Sequence, residues 1–351
     1  QEAINAEGNT IEVAKIASIN SGNTTIDLKG KTLVTRQSVS TVISGGAELH
    51  IINGTIEAPN AANNVKKGTN ALFVVQTASK LFVDGMKINT TGSALFPQGS
   101  AASVDVNNST INAGVYAVGT NASDDDNYKV VITLKDSTFN VSGYENNDND
   151  SCAVMINVEG TLNINKCNIT GGRQGVVVRA GTAKIENSRI TNNCTYKGSD
   201  KDLYDNADWG TGNNLPMAGL LVGNYKKTAA TAYKKAAVAT VTGTIISVPS
   251  NSDKPAILVA DNERHAAVLN LGGTDTKVTG DIVTKTFTNT NNESKLAITG
   301  GTFSTSPKAY VAGGNKVYKF SDTEYKVSVE SAQPSAPAGY RWKDATGEDL
   351  N

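Results

Sequence analysis

Residues that usually carry catalysis and cross-links are scarce in this sequence. Its 351 residues hold two histidines, three cysteines and two tryptophans. The cysteines Cys152, Cys167 and Cys194 have no CxxC or zinc spacing, which argues against a disulfide framework and a zinc site. Free thiols in the wall or core are expected, and a Cys152–Cys167 or Cys167–Cys194 bridge between neighbouring coils stays open. No run of 18 apolar residues exists, so no transmembrane helix is expected, and no signal-peptide pattern follows Gln1. Charge of one sign is missing too. Lys and Arg total 32 against 33 Asp and Glu, which argues against nucleic acid or a membrane surface as partner. Aromatics make up 6% and there are eight prolines; together with abundant Asn, Thr and Gly, this mix makes helical bundles and doubly wound α/β folds unexpected.

Asn and Thr are abundant, at 38 each, with 33 Gly. That mixture describes many short strands joined by tight turns. The strands follow an internal repeat in which an apolar–x–apolar pair is followed by a third apolar residue five positions on. The copies are Ile26–Leu28–Leu33, Leu49–Ile51–Ile56, Leu81–Val83–Ile88, Val104–Val106–Ile111 and Ile132–Leu134–Phe139. They continue as Leu162–Ile164–Ile169, Ala183–Ile185–Ile190, Ala239–Val241–Ile246 and Leu296–Ile298–Phe303, with Leu269–Leu271 degenerate. A second track of Ala or Gly followed by apolar residues begins at Ala71, Ala94, Gly114, Ala153, Gly175, Gly219 and Ala256. Its shorter intervals set a period of about 20–23 residues.

Alternating apolar residues give each strand one inward face. Two or three such strands cannot bury that face alone, and stacking the repeats as parallel coils does so. The expected fold is all-β: a single-stranded right-handed parallel β-helix, a solenoid of about eleven coils, over residues 1–305. Small residues heading the second track suit a sharp corner. Asn53-Gly54-Thr55 and Asn107-Asn108-Ser109-Thr110 belong at other corners, where stacked Asn side chains can bond along the axis. Gln1–Ala6 reads as the remnant of a capping helix. Ser306 and Pro307 signal an N-cap and first helical residue, and Gly313-Gly314 a stop, giving a helical turn over Ser306–Ala312. Lys316–Phe320 and Glu324–Val329 alternate around Ser321-Asp322-Thr323 as a hairpin. Residues 306–329 thus form an end cap, and 330–351, with Pro334, Pro337 and Gly339, a tail or linker.

Three stretches carry a family resemblance: Gln1–Val13 (QEAINAEGNTIEV), Thr25–Leu33 with Ile43–Ile56, and Ile298–Val327 (ITGGTFSTSPKAYVAGGNKVYKFSDTEYKV). They resemble secreted or surface-anchored right-handed β-helix proteins of gut bacteria, within the pectate-lyase-like superfamily. The resemblance implies an extracellular or cell-surface place. It says little of activity, because the same coils serve enzymes and non-enzymes. Enzymatic members cleave acidic polysaccharides, lyases with calcium and an Arg or Lys base, hydrolases with paired Asp. Asp124-Asp125-Asp126 supplies adjacent carboxylates, but neighbours on a strand point to opposite faces. No Gly-His-Gly exists. His50, between inward Leu49 and Ile51, is expected to face outward, and His265 to sit in a solvated turn.

The largest excursion, 192–217, holds Tyr196, Lys197, Asp200, Lys201, Asp202, Tyr204, Asp205, Asp208 and Trp209. Aromatics beside carboxylates can stack on sugars and hydrogen-bond their hydroxyls. Trp209, Tyr196, Tyr204, Asp202, Asp205 and Asp208 are therefore the candidate carbohydrate-binding residues; the competing reading folds the loop on the flank with Trp209 as anchor. No cofactor is expected, calcium at Tyr144–Asp150 being the one alternative. Lys226-Lys227 and Lys234-Lys235 read as a solvated face. The functional expectation is a non-enzymatic surface β-helix, a binder or scaffold with a polysaccharide or host or cell-surface glycan as partner. Alternatives are a divergent lyase or glycosidase beside 192–217, and a purely structural surface element.

Overall fold

The computed structural model describes residues 8–59, 71–121, 128–142, 151–193, 216–223, 236–261, 265–286 and 294–330. Nearly all regular structure in them is parallel strand, and each strand pairs with its equivalent one repeat earlier and one later. Three ladders result. Ladder 1 runs from Asn23–Asp27 through Ser103–Asn107, Lys129–Lys135 and Glu159–Asn165 to Lys295–Ile298. Ladder 2 runs from Thr10–Val13 through Thr110–Ala113, Thr138–Val141, Asn168–Gly171 and Arg189–Asn192 to Gly301–Phe303. Glu48–Ala58 and Lys80–Thr90 serve both ladders in one bent strand each. Ladder 3 is a separate sheet of nine strands from Thr41–Ile43 to Ile282–Lys285.

The repeat is the core. Leu49, Leu81, Val104, Ile132 and Leu162 occupy consecutive coils at one register position, and Ile56, Ile88, Ile111, Phe139 and Ile169 at another. All are buried in one continuous apolar column. Two copies correct the expected alignment. Ile26 pairs with Ile51, so the first copy is slipped by two, and Leu28 fills the corner beside Gly54 instead. Leu269–Leu271 is no defective copy: its third member is Val278, reached through a longer corner.

The corner between ladders 1 and 2 explains part of the asparagine excess. One residue per coil turns the chain in the left-handed region: Asn53 (φ 57°), Asn108 (45°), Asp136 (47°), Lys166 (53°) and Asn187 (50°). Asn and Asp tolerate that region better than most side chains. Asparagines at these corners bond along the axis as expected, Asn107 Nδ2 donating to Asp84 Oδ1 at 2.9 Å and Asn53 Nδ2 to Asp27 Oδ1 at 3.3 Å, and hydroxyls add a second axial row. Ser109, Ser137, Ser188 and Thr244 each donate to the carbonyl two residues back, at 2.6, 2.6, 2.7 and 2.9 Å. Each also accepts a backbone N–H from the preceding coil. Cys167 takes a serine's place, its thiol donating to the Asn165 carbonyl at 3.3 Å. Cys167 and Cys152 are both buried free thiols, so neither forms the bridge left open above; Cys194 lies outside the described residues.

Ladder 3 differs from the other two: its inner strands are buried on both faces. An outward row of Val74, Phe96, Met155, Val177, Leu221 and Leu258 follows the coils, with Gly119 at this position in the coil between Phe96 and Met155. Continuous apolar runs such as Gly175–Val178 are how doubly covered strands read. Gly114 is not the head of its segment, because Val118 pairs with Leu95 and Ala117 therefore falls level with Ala94. Nor do the small residues make a turn. Gly175 is small because a Cβ there would lie 2.5 Å from Ile190 Cγ2, where ladders 2 and 3 converge.

Beyond Gly301–Phe303 the sheet continues antiparallel. The strand Glu324–Val329 pairs with it, and Asn315–Ser321 pairs with Glu324–Val329 as a hairpin. The helical segment before it is only the 3-10 turn Lys308–Tyr310; Pro307 occupies the N-cap position and no side chain caps it, so the Ser306 cap does not form. Residues 1–7 and 331–351, including the supposed capping helix, the tail and Trp342, lie outside the described residues.

Candidate functional site

The residue after the third apolar member of each repeat points outward on ladder 2. Glu57, Asn89, Asn112, Asn140, Thr170, Thr191, Ser247 and Thr279 stack there in register, one per coil. Three amides of this column are wired to a carboxylate. Asn140 Nδ2 donates to Asn112 Oδ1 at 2.9 Å, Asn112 Nδ2 to Asn89 Oδ1 at 2.7 Å, and Asn89 Nδ2 to Glu57 Oε1 at 2.6 Å. The direction follows from chemistry. An ionised carboxylate only accepts, so Asn89 must present its NH2 to Glu57 and its carbonyl to Asn112, and so on up the column. The bonds shorten towards the charge, as charge-assisted and mutually polarising bonds do.

This column floors a groove of about 670 Å³ that runs along the coil axis. Pro59, Thr91, Gly114, Ser142 and Asn193 form its wall. The wall is tied down by backbone and hydroxyl bonds, with Thr91 Oγ1 donating to the Pro59 carbonyl at 2.9 Å and Asn193 N to the Gly171 carbonyl at 2.9 Å. Beneath it the buried Asn192 side chain donates to the Arg173 carbonyl, and Gln174 Nε2 to the Pro216 carbonyl at 2.9 Å. Among the described lining residues Glu57 is the one ionisable group. The lining therefore offers amide N–H, amide carbonyl and hydroxyl groups in a regular row. Among its described residues there is neither a base beside a nucleophile nor a pair of carboxylates.

Ladder 1 carries a second polar cluster. His50 faces outward and its ring stacks on Phe82, with centroids 4.4 Å apart. Its Nε2 meets Glu48 Oε1 at 2.8 Å, and Lys80 Nζ lies 3.5 Å from Glu48 Oε2. The His50 bond holds the Glu48 carboxyl below its ordinary range. Asp105, level with Phe82 in the next coil, is pushed up, first by burial and then by Asp84. The two rings face one another along the axis, so this stack leaves no open ring face between them for a ligand.

The candidate carbohydrate residues Tyr196, Asp202, Tyr204, Asp205, Asp208 and Trp209 lie outside the described residues. So do Asp124-Asp125-Asp126, the segment Tyr144–Asp150 proposed for calcium, and the Lys226-Lys227 and Lys234-Lys235 pairs. Of the excursion 192–217 the described ends are Asn192–Asn193 and Pro216–Met217, and Asn193 lines the groove. The sequence reading missed Glu57, Asn89, Asn112 and Asn140, although the signal is a fixed offset: a polar residue directly after Ile56, Ile88, Ile111 and Phe139. Among the described residues no group of three or more His, Cys, Asp or Glu is placed to hold a metal, and no helix is long and apolar enough to cross a membrane. The chain matches no family model, no curated protein and no solved structure.

Proposed function

We propose that the protein is a binding module for extended glycan chains, working without catalysis through the groove on ladder 2. The observation that carries this is the groove lining: a row of amides and hydroxyls, one per coil, with Glu57 as the sole ionisable residue among those described. Sugar hydroxyls are matched by neutral donors and acceptors that fix orientation. A lyase or hydrolase centre needs a base or paired carboxylates, which favours binding over cleavage here. We take the coils to be a right-handed β-helix, a handedness favoured by the general rule for parallel crossovers. The cell-surface location and a role as adhesin or scaffold rest on the resemblance of the terminal stretches. The hairpin Asn315–Ser321 with Glu324–Val329 fits the part of an end cap, since it covers the last ladder 2 strand.

The test is retention of the full chain on an immobilised panel of plant, microbial and host glycans, with reducing ends measured in the supernatant. Retention without release of new ends is expected. Release of reducing ends would overturn the non-catalytic reading. The double change Asn112→Ala with Thr170→Ala should weaken retention, while Trp209→Ala should leave it intact. Loss with Trp209→Ala alone would move the site to 192–217.

A further inference from the structure

Resting on that reading, we infer that the groove takes an uncharged polysaccharide lying parallel to the coil axis, with about one sugar residue per coil. Spacing comes first. Glu57, Asn89, Asn112, Asn140 and Thr170 are consecutive register partners, and parallel neighbours lie about 4.8 Å apart. A β-1,4-linked pyranose chain, extended because both linkage bonds are equatorial, advances by slightly more than this distance per residue. An extended peptide does not, at about 3.3 Å per residue. With Asn193 one coil beyond Thr170, the lining spans five spacings, about 24 Å. The footprint is then five to six sugars.

Charge comes second. The amides of Asn89, Asn112 and Asn140 spend one N–H each on the column. Each therefore keeps its second N–H for a ligand. None of the described lining residues is a cation. A uronate carboxylate drawn into the groove would lose water without gaining a counter-charge, which is costly, and at one end it would meet Glu57. Neutral hydroxyls meet neither penalty. Among the described residues, then, the groove holds no partner for an acidic chain.

The experiment is calorimetric titration of the full chain with neutral β-linked hexose oligosaccharides of two to eight residues, beside uronate oligomers of matched length. Affinity should rise about three- to tenfold per added sugar, the worth of one or two hydrogen bonds, and level off at five to six residues. Uronate oligomers should bind at least tenfold more weakly. Thr170→Lys, which adds a cation to the floor at a half-exposed position, should raise uronate affinity selectively. A plateau at two residues, or uronates binding as well as neutral chains to the unmodified protein, overturns this inference while leaving glycan binding in place. Absence of binding by every oligosaccharide overturns both.

Discussion

The column Asn140–Asn112–Asn89–Glu57 has a direction, and the direction can be broken and repaired. Asn112→Asp keeps the shape of the side chain but removes its donor. Asn89 cannot respond by rotating its amide, because its NH2 is held by Glu57 at 2.6 Å. The new carboxylate then faces the Asn89 carbonyl across the 2.7 Å position, oxygen against oxygen. Losing one such bond costs about 1 kcal/mol, and setting a charge against an unmatched acceptor about 1–2 kcal/mol more. The expected destabilisation is about 2–3 kcal/mol at pH 7. Glu57→Gln should repair much of it. A glutamine can donate to a rotated Asn89, which then offers its NH2 to the carboxylate at position 112. In a double-mutant cycle followed by thermal and denaturant unfolding, the two changes should couple by at least about 1 kcal/mol, well beyond the usual additivity error. Strictly additive effects would refute the claim that Glu57 orients the column.

Three further outcomes follow from the buried elements. Burial pushes the Cys167 thiol up to about 11, so it should resist thiol reagents at pH 8 in the native protein. Cys167→Ser, which completes the hydroxyl row, should change stability by less than about 0.5 kcal/mol, whereas Cys167→Val should cost about 1–3 kcal/mol; rapid native labelling of Cys167 would contradict this. Gly175→Ala drives a methyl into Ile190 Cγ2 at 2.5 Å and should lower stability by about 1–3 kcal/mol, as overpacking does; an unchanged melting temperature would show that the ladders have room. Asp105 is raised in the folded state by burial and by Asp84. The folded chain therefore holds its proton longer than the unfolded one, and stability falls as pH climbs from the unfolded pKa through the folded one. Asp105→Asn should raise stability at pH 7 by roughly 0.5 kcal/mol, the scale of a part-exposed charge interaction, and have no effect below pH 3; equal effects at both pH values would rule out titration as the cause.

The coil was legible because burial imposes period two on each strand and one period on the whole chain. Leu81–Val83–Ile88 and its partners align by their apolar spacing alone, and their register in the structure is the same. The misalignments have physical causes. Ile26–Leu28 is a pair in the sequence, yet Leu28 leaves ladder 1 to fill a corner, so apolarity alone misplaced it. The Ala and Gly heads were read as turn formers, but Gly175 answers to the side chain of Ile190 across the core, a contact between segments that local sequence does not display. The groove was hidden for the opposite reason. Glu57, Asn89 and Asn112 lie in different repeats, separated by 32 and 23 residues, and each looks like an ordinary outward residue until coils are stacked. The aromatic and acidic residues of 192–217 are adjacent in sequence and so stand out, whereas the column is spread over five coils.

The most direct test is what occupies the groove. A crystal structure of the full chain with a neutral β-linked hexose hexasaccharide should place the sugar along Glu57, Asn89, Asn112, Asn140 and Thr170, parallel to the axis, with amide N–H groups on its hydroxyls. Sugar bound across the strands, or on another face of the coils, would contradict that placement.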